Sequence, residues 1–377
     1  MRSVRRIPNL KNVPVLVRAA LNVPVENGRV TNTFRLRQAL QTVLFLQKKG
    51  AKVILCGHIG DKGTETLEPV YQALKPLVPL LEFCPVSVGA QAQAAVERMR
   101  GGEVILLENL RRHRGEKMND PAFARELASL AQYFVEDSFD VCHREHASVV
   151  GVPTLLPSYA GFLVEEEVKQ LTRALKPKYP ALAIIAGAKF STKEPVIISM
   201  LDTYDQVFIG GALANDFIQA EGHKVGVSLT SGASAVEMRK LLRNPDLLVP
   251  RDVVVAPLAG TPADGSVVSI DAIPSDKAVL DIGPGSLVAL APYVQKAKTI
   301  LWNGTLGRCE TGFTDATEKL ARMIIASKAH TVLGGGDTVA AVEGFGLQSK
   351  FSFVSTGGGA MLDFLAYGTL PGLEVLR

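Results

Sequence analysis

Cysteine is scarce. The chain has four in 377 residues (Cys56, Cys84, Cys142, Cys309) and no C-x-x-C pair. That pattern excludes a disulfide framework and points to a reducing compartment. Long apolar runs are missing too, since none approaches the ~18 residues of a membrane span. Met1 is followed by Arg2, Arg5 and Arg6 rather than by the apolar core of a signal peptide. These absences lead us to expect a soluble, cytoplasmic protein without a membrane partner. Strong charge of one sign is also lacking: 41 Lys and Arg stand against 37 Asp and Glu, a net +4. No basic block with interleaved aromatics occurs, which argues against nucleic acid as a partner. Two nucleotide signatures are absent as well. There is no G-x-x-x-x-G-K-[ST], so the chain is not a P-loop NTPase. There is no G-x-G-x-x-G after a first strand with an acidic residue about 20 positions on, so a dinucleotide fold is not expected.

What is present divides the chain in two. Its length exceeds what one core usually serves, and a hydrophobic content of 47% can fill two. The segment 157–179 lies between two stretches of different character. Ser158 stands as a candidate N-cap, and Val164, Val168, Leu171 and Leu175 recur at helical spacing. Glu165, Glu166 and Glu167 load the first half, Lys176 closes the last turn, and Pro177 and Pro180 stop the helix. We read it as a helix joining two domains, against the simpler reading of one more amphipathic helix within a large domain.

Before that helix, buried strands expected at 13–17, 53–56, 104–107 and 133–135 alternate with helices expected at 33–49, 67–80, 90–99 and 121–131, with a further strand at 83–87. Continuous apolar strands alternating with helices are the mark of a parallel sheet covered on both faces. Ligands of such sheets bind beyond the carboxyl ends of the strands. Those ends carry Asn22, His58, Arg111 and Arg144, with Arg35 close behind. Any one of these cations could be an ordinary solvated charge. Their recurrence at equivalent positions suits a small phosphorylated, carboxylated ligand. Cys142, His143 and His146 match no zinc spacing.

After the helix the strand ends change to glycine. Strands expected at 182–185, 207–209, 280–282, 299–302, 331–333 and 351–354 each run through a glycine turn into the next segment, usually a helix. Gly334-Gly335-Gly336 and Gly357-Gly358-Gly359 are triple turns. Glycine there lets backbone amides approach phosphate, and the helix N-terminus that follows adds positive potential. We expect six such units to form a second doubly wound sheet. Asp337, beside the first triple turn, suits Mg2+, which takes one or two carboxylates plus phosphate oxygens; a helix N-cap is its other reading.

At this point the motifs carry a family resemblance. Leu107-Glu108-Asn109-Leu110-Arg111, His143 to Ser148, Trp302-Asn303-Gly304, Gly334 to Thr338 and Ser355 to Ala360 resemble, in order and over nearly the whole chain, the phosphoglycerate kinase family. The resemblance implies an α/β fold of two Rossmann-like doubly wound domains joined by a hinge helix. It places a 3-phosphoglycerate domain at 1–156, the interdomain helix at 157–179, an ADP/ATP domain at 180–360, and a tail at 361–377 that returns to the first domain. It implies a monomer that moves a phosphoryl group between 1,3-bisphosphoglycerate and ADP, with Mg2+ and with domain closure.

Residue by residue, the likeness assigns His58, Arg111 and Arg144 to the substrate phosphate and Asn22 to the substrate. It assigns Arg35 and Lys189 to the transferring group, and Lys193, Asn303, Asp337 and Thr338 to nucleotide phosphates and magnesium. Glu310 falls to the ribose, and Gly187, Gly211, Gly335 and Gly336 to the nucleotide cradle. Several positions depart from the family pattern. R-V-D-F-N-V-P has Ala20 for Asp, S-H-L-G-R-P has Asp61 for Arg, and A-K-V-S-D-K has Thr192 for Asp. N-G-P ends in Thr305, and G-K-S has Val227 for Lys. Ala20 and Asp61 together keep two other readings open. One is a nucleotide binder without efficient turnover, the other a kinase for another small carboxylate.

Overall fold

The computed structural model describes Met1–Leu376. The chain forms two compact units: Met1–Lys169 joined by the segment from Thr369, and Gln170–Gly368.

In the first unit the strands are β1 (Pro14–Ala19), β2 (Val25–Glu26), β3 (Arg29–Val30), β4 (Lys52–Cys56), β5 (Leu81–Cys84), β6 (Val104–Leu107), β7 (Tyr133–Asp137) and β8 (Ser158–Ala160). The helices are α1 (Phe34–Lys48), α2 (Glu68–Leu74), α3 (Ala90–Arg98), α4 (Arg114–Lys117) and α5 (Pro121–Ala128), and α6 (Phe162–Ala174) begins in this unit and ends in the second. Six strands make one parallel sheet in the order β5-β6-β4-β1-β7-β8, while β2 and β3 form a small hairpin. All four residues of β6 and the last five of β1 are buried, as helices on both faces require. The chain runs outward from β1 on one side and returns to its other side at β7. The crevice between β1 and β7 is therefore the switch point where such sheets bind ligands.

The second unit repeats the plan. Its strands are β9 (Ala181–Ala186), β10 (Gln206–Gly210), β11 (Leu247–Leu248), β12 (Asp252–Ala256), β13 (Ser266–Ser269), β14 (Ala278–Ile282), β15 (Thr299–Asn303), β16 (His330–Gly334) and β17 (Phe353–Val354). Its helices are α7 (Phe190–Leu201), α8 (Leu213–Ala220), α9 (Ala235–Leu242), α10 (Pro284–Lys296), α11 (Asp315–Ala326), α12 (Gly336–Gly344) and α13 (Gly359–Tyr367). The parallel sheet runs β11-β10-β9-β15-β16-β17, with its switch point between β9 and β15.

Two expectations change here. The strand at 280–282 does not join the parallel sheet. As β14 it pairs antiparallel with β12, and β13 completes a separate three-stranded sheet. The sixth parallel strand is instead the two-residue β11. Ser158 is no N-cap either. It lies in β8, opposite Phe134, and its hydroxyl donates to the Leu156 carbonyl at 2.8 Å. The start of α6 is served from another strand, where the Asp137 carboxylate accepts the Leu163 N–H at 2.9 Å. Gly161 fits between them because a Cβ there would overlap that carboxylate.

Near its end the chain changes unit. α13 packs on α7, and the Ser199 hydroxyl donates to the Leu365 carbonyl at 2.8 Å. The segment from Thr369 belongs to the first unit. There α14 (Pro371–Glu374) packs on the turn Ala147–Gly151, and the Gly372 N–H donates to the Cys142 carbonyl at 2.8 Å. Among the described residues no helix is long and apolar enough to cross a membrane.

Candidate functional site

The basic constellation of the first unit begins with a charge inside a buried strand. Arg18, on β1, is 0% exposed and must spend its donors internally. Nε donates to the Ser148 hydroxyl at 3.1 Å, one terminal nitrogen to the Ala19 carbonyl at 2.9 Å, and the other meets His58 Nδ1 at 2.8 Å. A guanidinium only donates, so Nδ1 accepts and the ring proton of His58 sits on Nε2. Burial, with Arg18, Arg111, His146 and Arg35 around it, pushes His58 well below the ordinary histidine value. The imidazole is thus a neutral donor of fixed tautomer.

Ser148 passes the network on. Its hydroxyl and N–H donate to the two carboxylate oxygens of buried Glu116, at 2.6 and 3.0 Å. His146 faces the same carboxylate at 3.9 Å, and burial among Arg111, Arg18, Arg144 and Lys117 lowers it to about 4.

The rim is built on loops. Arg35, in the first turn of α1, donates to the Asn22 carbonyl at 2.9 Å, and Asn22 Oδ1 accepts the Gly60 N–H at 3.1 Å. One Arg111 nitrogen donates to both the Gly60 carbonyl and the Asp61 carboxylate, at 2.6 Å each. Lys117 donates to the Asp61 carbonyl. Gly60 and Gly63 take positive φ (64° and 75°), and a Cβ on Gly63 would overlap the Arg111 carbonyl. Asn22, Arg35, His58 and Arg111 therefore gather beyond the carboxyl ends of β1, β4 and β6. Arg144 is exposed and joins them through its charge on His146.

In the second unit a cavity of about 370 Å3 opens at the β9/β15 switch point. Gly187, Gly211, Glu310 and Asp337 line it, and Leu229, Leu258, Leu280 and Leu306 make it largely apolar. Close backbone approach explains the glycines. Gly304 has φ 102°, and a Cβ there would overlap the Ala186 carbonyl. A Cβ on Gly211 would lie 2.8 Å from the Thr305 carbonyl oxygen. Gly335 has φ 94° and sits against Asn303 and Thr338, while Gly336 opens α12.

Lys193 donates to the side-chain carbonyl of Asn303, and the buried Thr338 hydroxyl accepts the Gly304 N–H at 2.8 Å. Burial pulls Lys193 down to about 8, and the Asp337 charge partly holds it up. Asp337 is exposed in the first turn of α12. Lys189 is exposed just before α7, its carbonyl accepting from the Thr192 hydroxyl at 3.0 Å. Among the described residues no group of three His, Cys, Asp or Glu could hold a metal by itself. The donor set at Asp337 fits a metal that arrives with phosphate ligands.

Sequence reasoning missed Arg18, Glu116 and Ser148, which hold His58, and the apolar cavity wall. Arg18 left one signal, a charge within the apolar run Pro14–Ala19.

A family model described as "Phosphoglycerate kinase" matches residues 4–367. A "Phosphoglycerate kinase" of Moorella thermoacetica is 43% identical over 97% of both chains, and one of Thermus thermophilus 44% over 97% of both. Among solved structures, phosphoglycerate kinase of Coxiella burnetii superposes with TM-score 0.84 at 35% identity, covering 99% of this chain and 98% of that one. That of Pyrococcus horikoshii gives TM-score 0.90 at 27% identity, covering 100% and 98%.

Proposed function

Because the chain belongs to the phosphoglycerate kinase family, we infer that its two sites hold the two halves of one phosphoryl transfer. The enzyme is a phosphotransferase of that family. The basic crevice of the first unit takes 3-phosphoglycerate, and the glycine-lined cavity of the second takes ADP or ATP. The observation that supports this division most strongly is the segregation of donors. Neutral, Nε2-protonated His58 and the cations Arg35 and Arg111 gather beyond the strand ends of the first sheet. Gly187, Gly211, Lys193, Asn303 and Asp337 gather at the switch point of the second.

The phosphoryl group leaves a carboxylate oxygen of 1,3-bisphosphoglycerate and bonds to a terminal oxygen of the ADP β-phosphate; the reverse reaction retraces this. Both nucleophiles are ionised at pH 7, so no general base is needed. The protein positions the groups and stabilises charge on the moving phosphoryl. His58, Arg111 and Arg144 hold the distal phosphate of the substrate, and Asn22 orients its backbone. Arg35 and Lys189 meet the transferring group. Lys193, Asn303, Thr338 and the amides of Gly335 and Gly336 hold nucleotide phosphates, and Glu310 holds the ribose. Asp337 would hold Mg2+, which when bound neutralises phosphate charge. Four free cysteines, three of them buried, suit a cytoplasmic enzyme, and we take it as a monomer.

The test is turnover of Mg-ATP with 3-phosphoglycerate, trapping the acyl phosphate. Arg35→Ala should lower kcat about a hundredfold or more while ADP still binds by calorimetry. Nucleotide binding without wild-type turnover would overturn the reading in favour of a non-catalytic binder.

A further inference from the structure

Asp61 stands out because its charge opposes the site it lines. We propose that Asp61 is a resident anion on Arg111, which the phosphate of the substrate must displace, so that this one carboxylate sets the affinity for phosphorylated ligand. The inference rests on the reading of Arg111 as a phosphate ligand.

The geometry favours displacement over a fixed structural pair. The Arg111 side chain is 8% exposed and the Asp61 side chain 91%. The carboxylate can therefore turn into water at little desolvation cost, whereas the guanidinium stays in place. Its position survives the exchange, because the nitrogen that meets Asp61 also donates to the Gly60 carbonyl at 2.6 Å. Arg111 Nε is buried and has no hydrogen-bond partner. A guanidinium is not fully served by one carboxylate, and an incoming phosphate with several acceptor oxygens can take over the nitrogen Asp61 gives up.

Asp61 is also tethered at the right distance. Lys117 holds its carbonyl, and the positive-φ glycines Gly60 and Gly63 bracket it. The competitor thus stays at high local concentration beside Arg111 even after it is displaced. The other carboxylate acting on Arg111, Glu116, is fully buried and already bonded twice to Ser148, so it cannot compete in the same way.

The experiment is calorimetric titration of the full chain with 3-phosphoglycerate, and with glycerate as a probe lacking the phosphate. Wild type is compared with Asp61→Asn, Arg111→Gln and the double variant. Asp61→Asn should lower the Kd for 3-phosphoglycerate about three- to tenfold and leave glycerate binding where it was. In kinetics KM for 3-phosphoglycerate should fall while KM for ATP does not. In the Arg111→Gln background Asp61→Asn should have no such effect. Unchanged or weaker 3-phosphoglycerate binding in Asp61→Asn overturns the inference. If Arg111→Gln itself leaves that binding unchanged, the reading of Arg111 fails instead. Should Arg111→Gln unfold, Arg111→Lys gives the second background. There the Asp61→Asn effect should shrink, and an effect of undiminished size would count against the displacement.

Discussion

At Gly304 one methyl group decides whether β15 can end beside β9. With φ 102° and the Ala186 carbonyl in the place of a Cβ, any side chain must push the two strand ends apart. Gly304→Ala should cost about 3 kcal/mol of stability in the second unit and weaken ADP binding, read by thermal melting with and without ADP. Gly336→Ala is the contrast, because nothing lies within 4 Å of its Cβ position, and its melting should stay near wild type.

Asp281 makes a pH prediction. It is buried, accepts the Ile282 and Ala316 N–H groups, and burial raises it to about 7. In the range between the ordinary aspartate value and about 7 the folded chain binds a proton that the unfolded chain has released. Its contribution to stability is therefore full at acid pH and lost as pH rises through about 7. Asp281→Asn should flatten the fall in stability between pH 4 and 7, measured by denaturant titration across that range. The placement of the glycine turns, Lys189 and Asp337 just after strands was legible in the sequence because it is local to a strand end. Arg18, Ser148 and Glu116 were not, since their pairing joins residues up to 130 positions apart.

Elements show the same divide between local and distant information. The first turn of α12 brings Asp337 and the Gly335-Gly336 amides together within one short motif, so this juxtaposition could be read from sequence. Asp337→Asn should weaken ADP binding about tenfold or more with Mg2+ present. With EDTA the variant and wild type should bind ADP within about twofold of each other. Calorimetry in both buffers checks this, and a loss equal in both would remove the metal role. The start of α6 was misread because Ser158 has the chemistry of a cap, whereas the capping carboxylate, Asp137, comes from β7. Likewise β14 looks locally like any strand before a glycine turn. Its antiparallel partner β12 is fixed by pairing, which no periodicity within 278–282 encodes.

For the whole molecule, the order of motifs was enough to indicate two α/β units, because each glycine or arginine cluster marks one strand end. The point where the chain changes unit was beyond periodicity. The first unit is discontinuous in sequence, and Leu370 and Leu376 are both buried in its late segment. Ending the chain after Gly368 should lower the stability of the first unit by about 4 kcal/mol, the burial of two leucines. 3-Phosphoglycerate affinity should fall with it, while ADP binding and the melting of the second unit are retained. Calorimetric scans with each ligand separate the two. Gly372→Ala should act in the same direction, because a Cβ there would lie 2.8 Å from Val149 Cγ1.

That late segment also has a bearing on synthesis. Residues up to Lys169 leave the ribosome first, but Gly372 and its neighbours follow only after the whole of Gln170–Gly368 has been translated. The half of the protein made first is therefore the half finished last. A chain elongated only to Gly368 holds every residue of its second unit, while the seat beside Cys142 still waits for its cover.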